Sequence, residues 1–292
     1  MAGPSIKDAQ AAYLLDCKAR NLRPASLNTY RRQLGAFTTF ADDAGIAELD
    51  QVTPNVLRAY IAHLADRGLR PTSIRSHGRV LRIFLNFCTA EGMTTESPAR
   101  RLRMPRQDRP RPDCFTAEEI RSILGAATCN RDRAIVLCLL DTGCRIAEFT
   151  AWSLGDITGP AVTVRHDTSK SRMTRTVYLG RHARAALDAY LAEVRPADRV
   201  WLSRTTGQPM TVDGMKAAVQ NLGARARVQP AGPHKYRRTF AVYALQSGMD
   251  LFTLKDLMGH STIDLLKHYV TADDAALAAA HAKHGPVDHL LK

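Results

Sequence analysis

Acidic residues are in short supply: 28 aspartates and glutamates stand against 41 lysines and arginines, for a formal net charge of +13 and a pI near 9.8. A deficit of that size argues for a polyanionic partner, and nucleic acid is the commonest one. A basic soluble protein without such a partner is the plainer alternative. Long apolar runs are also missing. The longest, Ala134 to Leu140, falls far short of the ~20 residues that cross a bilayer, so no membrane association is expected. Met1 to Lys7 has no basic stretch followed by an apolar core, and no secretory signal is expected. The six cysteines (Cys17, Cys88, Cys114, Cys129, Cys138, Cys144) form no CxxC pair. Free thiols in a reducing cytoplasm fit them better than zinc or disulfides. The chain also lacks a Gly-rich phosphate loop ending in Lys-Ser/Thr, a metal-ligand cluster and an internal repeat. Neither cofactor nor metal is expected. The one biased tract, Ala275 to Ala280, is simply helix-prone.

What is present suits a globular protein of two domains: 292 residues, 45% of them hydrophobic and 24% charged. The first third reads as four helices. One runs over Ile6 to Ala19. A second opens at Ser26-Leu27 and carries Leu27, Tyr30, Leu34, Phe37 and Phe40 at steps of three and four, ending at Gly45. A third starts at Thr53-Pro54, threonine placed to cap and proline in the first turn, and closes at Gly68. A fourth begins at Pro71-Thr72, with Ile74, Leu81, Phe84, Leu85 and Cys88 inward, and stops at Gly92. The spacing therefore predicts a helical N-terminal domain over residues 1–97.

Over residues 98–114 prolines 98, 105, 110 and 112 alternate with Arg100, Arg101, Arg103, Arg106, Arg109 and Arg111. Prolines oppose regular structure, and the segment reads as an extended basic linker whose arginines suit phosphate contact. The second domain, 115–292, opens on a capping box at Thr116 and Glu119. Helices follow over Arg131 to Leu140 and Ile146 to Trp152, then two β segments, Ala161 to Arg165 and Thr174 to Tyr178, then helix again from Ala183 to Val194 and onward. The expected fold class is mainly α with a small antiparallel β-sheet.

With DNA as the partner, four places stand out. Cleaving a phosphodiester without a metal requires fixed cations at the non-bridging oxygens, where charge builds in the transition state. Arginine suits this because its planar fork donates paired hydrogen bonds and keeps its charge. The first place is Asp141-Thr-Gly-Cys-Arg145-Ile-Ala-Glu148, where one helix ends at Gly143 and the next begins with Arg145. The second is His234-Lys-Tyr-Arg237-Arg238, after Pro233 at a helix start; its three-residue spacing puts His234 and Arg237 on one face. The third is Gly259-His260, after the apolar helix Leu251–Met258, and the fourth is Tyr269. Taken singly, each has an ordinary explanation: an exposed ion pair, a surface pair, a helix end, a core aromatic. Their order and spacing together are much harder to explain as coincidence.

These segments resemble the tyrosine recombinase family of phage integrases, Xer dimer-resolution proteins and transposon recombinases. The family's T-G-x-R-x-x-E stands here as Thr142 to Glu148. Its H-x-L-R-H-x-F-A stands as His234 to Ala241, with Tyr236 for the usual leucine and Arg238 for the usual histidine. Its Gly-His element and nucleophile stand as Gly259-His260-Ser261 and His268-Tyr269. The family also carries a lysine in a β-hairpin turn, here Lys170 between Asp167 and Met173, with Arg172 and Arg175 as rivals for that role.

The resemblance covers nearly the whole chain and implies an N-terminal four-helix, SAM-like core-binding domain and a mixed α/β catalytic domain, closing on DNA as a C-shaped clamp. It further implies that Tyr269 attacks phosphorus to give a 3′-phosphotyrosyl link. Arg145, Arg237 and His260 would hold the non-bridging oxygens, Lys170 would protonate the leaving oxygen and His234 would take the tyrosine proton. Arg238 makes the second box more basic, and Glu148 would orient Arg145 or its helix rather than take part in the chemistry. The expected partner is duplex DNA with paired inverted-repeat sites. Assembly is expected as a tetramer in the synapse or with a related recombinase, in the cytoplasm on the nucleoid. The tail, 273–292, ends in apolar Val287, Leu290 and Leu291 suited to a neighbouring subunit, while His281 and His284 are read as exposed rather than metal-binding. Three other readings stand beside this one: a type IB topoisomerase, an architectural DNA-binding protein on the same scaffold, and an RNA-binding protein.

Overall fold

The computed structural model describes residues 3–105, 113–165 and 174–259. The chain divides into two compact units, Met1–Asp108 and Arg109–Lys292, each with its own apolar core.

The first unit is built on α1 (Ile6–Ala19), α2 (Pro24–Asp43), α3 (Pro54–Asp66) and α4 (Pro71–Ala90). Local chemistry sets where they start. Ser5 Oγ accepts the Asp8 amide at 3.1 Å, Thr53 Oγ1 accepts that of Val56 at 3.3 Å, and α2, α3 and α4 each open on a proline. The inward stripes meet in one core. Phe37 packs edge-on against Tyr60, and Phe84 against Tyr13, with ring centroids 5.2 and 5.7 Å apart.

The linker expected over residues 98–114 begins later than that. Pro98–Arg101 forms a 3-10 helix, and Ala99 and Leu102 are buried in the first unit's core. The reason is physical. Proline tolerates the first position of a helical turn, and a three-residue turn turns Ala99 and Leu102 to the same side. The carbonyls beyond are held by α4: Arg82 donates to Leu102 O at 2.8 Å and Arg75 to Pro105 O at 2.9 Å. Residues 98–105 thus belong to the first unit, with Arg100, Arg101 and Arg103 exposed on it. Arg106 lies outside the described residues.

The second unit opens on the expected capping box. Thr116 Oγ1 accepts the Glu119 amide and Glu119 Oε2 accepts that of Thr116, at 3.1 and 2.9 Å. The elements that follow are α5 (Ala117–Ala126), α6 (Asn130–Thr142), α7 (Ile146–Thr150), β1 (Ile157–Thr158), β2 (Ala161–Val164) and β3 (Arg175–Tyr178). After them come α8 (Arg181–Val194), α9 (Val212–Arg225), α10 (Pro233–Gln246) and α11 (Leu251–Met258). The strands form an antiparallel sheet in the order β1-β2-β3, with buried Val162 opposite buried Val177. β1, at two residues, is too short to show an alternation, so the sequence predicts only its two neighbours.

The run Ala134–Leu140 is the apolar middle of α6, which packs among α8, α9 and α10. In the same core Trp201 stacks on Phe149 and on Tyr190, and Trp152 packs at a tilt against Phe149. No helix among the described residues is long and apolar enough to cross a membrane. All six cysteines are free thiols, with Cys17, Cys88, Cys138 and Cys144 buried.

Candidate active site

α6 ends in a turn that only glycine can make. Gly143 caps the helix in the left-handed region, at φ +56°, and a β-carbon there would overlap the Phe240 ring. The reversal delivers Arg145 to the start of α7. Glu148, one turn on and only 1% exposed, accepts twice from it: the Arg145 amide at 3.1 Å on Oε2 and Nη1 at 2.8 Å on Oε1. Glu148 therefore orients Arg145 and is buried, where an isolated R-x-x-E pair would be exposed.

Three arginines from three elements converge on the end of α11. Arg237, on α10, donates to Gly143 O at 2.5 Å and Met258 O at 2.7 Å. Arg145 donates to Gly259 O at 3.1 Å. Arg175, the first residue of β3, donates to Leu257 O at 2.8 Å through Nε and to Glu148 Oε2 at 2.6 Å through Nη2. The last carbonyls of a helix have no partner within it and carry partial negative charge, so guanidinium groups are well matched to them. Gly259 makes the close approach feasible. It too is left-handed, at φ +62°, and a β-carbon on it would sit 2.9 Å from Arg175 Nη1.

The electrostatics are one-sided. Among the described residues three guanidinium groups face one carboxylate, leaving excess positive charge in a largely buried place. Burial alone would raise the Glu148 carboxyl, but the hydrogen bonds from Arg175 and Arg145 hold it below the usual range. Burial, with Arg145 nearby, lowers Arg237 to about 10 against the pull of Glu148, so it stays charged at neutral pH. The Cys144 thiol between them is pushed up to about 11 by burial and stays neutral. Exposure is graded: the Arg145 side chain is 23% open and that of Arg175 9%. A centre with surplus buried cations is made to receive an anion, and a phosphodiester supplies one.

Of the residues singled out by sequence, Arg145 and Arg237 are brought together here. His234 lies one turn before Arg237 at the exposed start of α10, so the two share a face but not a depth, and Arg238 is exposed beside them. Arg100, Arg101 and Arg103 belong to the first unit. Lys170, Arg172, His260, Tyr269 and the tail, with His281 and His284, lie outside the described residues. Gly259, the neighbour of His260 in sequence, is part of the arginine centre.

Sequence reasoning missed Lys235. It is buried at 6% exposure and pairs with Asp113 at 3.0 Å and Glu119 at 3.6 Å, its ammonium 4.7 Å from the centre of the Phe115 ring. Phe115 is fixed to the same helix by its amide on Thr239 Oγ1, at 2.9 Å, and by edge contact with Tyr236. The start of the second unit is thus bolted to the helix that carries His234 and Arg237. Tyr236 fills the core in place of leucine; its hydroxyl has no hydrogen-bond partner among the described residues. Arg175 was weighed only as a rival for the hairpin acid, and no spacing signal tells of its pairing with Glu148.

Comparison with known proteins bears on this geometry. Residues 113–276 match the model of the phage integrase family, and residues 12–92 that of the phage integrase N-terminal SAM-like domain. The chain is 28% identical over 289 residues to tyrosine recombinase XerC of Pseudomonas fluorescens, covering 96% of this chain and 95% of that one. It is 27% identical to tyrosine recombinase XerD of Bifidobacterium longum, covering 91% and 93%. In fold it is similar to the Tn1549 transposon integrase solved in complex with transposon right end DNA, with TM-score 0.79, 18% identity, and 97% and 100% of the two chains covered. It is also similar to lambda integrase solved as a dimer bound to a COC′ core site, with TM-score 0.77, 19% identity, and 92% and 77% covered.

Proposed function

The chain belongs to the phage integrase family: it is a tyrosine recombinase, an enzyme of site-specific DNA recombination, and we propose that it cuts and rejoins duplex DNA through Tyr269. The phenol oxygen attacks the scissile phosphorus and the 5′-oxygen leaves, giving a 3′-phosphotyrosyl link and a free 5′-hydroxyl. His234 takes the phenolic proton, whose ordinary pKa is ~10, and Lys170 protonates the departing oxygen. Arg145, Arg237 and His260 bind the non-bridging oxygens. The phosphotyrosyl ester retains the energy of the broken bond, so attack by a 5′-hydroxyl of another strand reseals DNA in a new arrangement without ATP.

The observation that carries this reading is the convergence of Arg145 and Arg237 on the carbonyls of Met258 and Gly259, with surplus positive charge, immediately before His260 in sequence. The first unit then binds the core of the site, with the exposed Arg100, Arg101 and Arg103, together with Arg106, on phosphates and Arg238 reinforcing the catalytic box. Paired inverted-repeat sites and a tetramer, of this chain alone or with a related recombinase, follow from the same reading, as does work on the nucleoid in the cytoplasm. The apolar tail residues Val287, Leu290 and Leu291 are assigned to contact between subunits. Two solved integrase neighbours, bound to a core site as a dimer and to a Holliday junction as a tetramer, support such an assembly.

The test is a pool of nicked duplexes with randomised half-sites, incubated with the whole protein and recovered as detergent-resistant protein–DNA adducts. Enrichment of an inverted repeat, lost with Tyr269→Phe, is expected. An enriched sequence that is bound but never joined to protein would mean an architectural role. Adducts without sequence preference would mean a topoisomerase.

A further inference from the structure

Arg145 carries two duties that conflict. Its Nη1 and Nη2 hold Glu148 and Gly259 O, yet the same guanidinium must turn donors toward a phosphate. Five N–H donors allow both only if its anchors do not shift when the phosphate arrives. Arg175 touches the same two elements from beneath. Its Nη2 is on Glu148 Oε2, leaving Oε1 to Arg145, and its Nε is on Leu257 O, two residues before the carbonyl that Arg145 uses. Its side chain is 9% exposed against 23% for Arg145, so Arg145 is the more open of the two.

Two further facts set Arg175 apart from an ordinary core ion pair. Its Nη1 is buried with no hydrogen-bond partner among the described residues, against the glycine that ends α11. A buried donor left without a partner is an exception in a folded core and calls for an explanation beyond packing. It also opens β3, paired with Val164 at the mouth of the stretch that contains Lys170. One side chain therefore joins the strand pair, the carboxylate behind Arg145 and the helix end that leads into His260.

We propose that Arg175 is a positioning residue for strand cleavage: it braces Glu148 and the end of α11 so that Arg145 can meet the scissile phosphate without losing its own alignment. The proposal rests on the recombinase reading above and concerns the chemical step rather than DNA binding.

The test uses the nicked duplex selected with wild-type protein and compares Arg175→Met, which keeps length but not charge, with Arg175→Lys, which keeps charge but not the fork. At saturating DNA, adduct formation by Arg175→Met should fall about 100-fold and by Arg175→Lys about 10-fold, comparable to loss of a preorganised donor. Duplex affinity should stay within about 3-fold, because no phosphate contact is lost. A second substrate with a methylphosphonate at the scissile position removes one non-bridging charge and with it much of the need for aligned cations. On it the Arg175→Met deficit should shrink to about 5-fold or less. Cleavage by Arg175→Met within about 3-fold of wild type, or a deficit equally large on both substrates, overturns the proposal. Should Arg175→Met show no cooperative melting, the same two-substrate comparison on Arg175→Lys decides. If wild-type protein makes no adduct lost on Tyr269→Phe, it is the function reading that fails, not this one.

Discussion

Arg100, Arg101 and Arg103 in the first unit point to solvent, while Arg145, Arg175 and Arg237 in the second are wrapped in carbonyls around one carboxylate. The same side chain is used in two physical regimes. Exposed arginines act as screened point charges, interchangeable with lysine and sensitive to salt. Buried ones act as rigid forks whose geometry is held from several sides, and there lysine is no substitute. On the proposed reading, the exposed set grips a duplex and the buried set serves the cut in its backbone.

The sharpest way to break that comparison is to replace one buried fork by a flexible cation. Arg237→Lys should lower adduct formation by about 10² to 10³-fold with duplex affinity almost unchanged. A loss confined to affinity would put Arg237 in the same class as Arg100.

Next in size is the carboxylate. Glu148→Gln leaves buried guanidinium groups uncompensated, and unfolding should become easier by roughly 3–5 kcal/mol at pH 7. Because the folded Glu148 carboxyl lies below its ordinary value, its contribution is complete above the unfolded pKa of ~4.3 and disappears as pH falls through the lower folded value. The stability gap between wild type and Glu148→Gln should therefore be widest at neutral pH and narrow in acid. A gap independent of pH would mean the carboxylate is not what holds Arg145 and Arg175.

A smaller effect is expected from Gly143→Ala, which combines a left-handed backbone with overlap of the Phe240 ring. A cost of about 2–4 kcal/mol, read as a lower midpoint in denaturant, follows from strain and overpacking. An unchanged midpoint would show that the turn before Arg145 has room to rearrange.

The smallest effect belongs to the exposed set. Replacing Arg103 and Arg106 by glutamine should reduce the slope of log affinity against log salt by up to ~0.9 per lost phosphate contact while leaving single-turnover cleavage at saturation intact. An unchanged slope would leave that segment as a tether only.

Much of the fold was legible because helix ends are written locally. Thr53-Pro54, Thr116 with Glu119, and the limits of Leu251–Met258 all mark real boundaries. Arg145, Arg237 and Gly259 stood out in short local motifs, and the three meet at the end of α11. What escaped depends on partners far apart in sequence. Arg175 meets Glu148 across 27 residues and α11 across 82, and no spacing rule reaches that far. Lys235 drew no notice between His234 and Arg237 because Asp113 and Glu119, with which it pairs, lie more than 110 residues earlier in the sequence. Residues 98–105 misled because prolines and arginines signal openness, whereas one 3-10 helix buries Ala99 and Leu102, and Arg82 and Arg75 take the carbonyls of Leu102 and Pro105.

The central claim is that the arginine centre serves a tyrosine nucleophile at position 269. It is tested most directly by digesting the covalent protein–DNA adduct and finding which side chain carries the nucleotide. The account predicts a 3′-phosphate ester on Tyr269 and on no other residue. Nucleotide recovered on Tyr243, Tyr236 or a serine would contradict it.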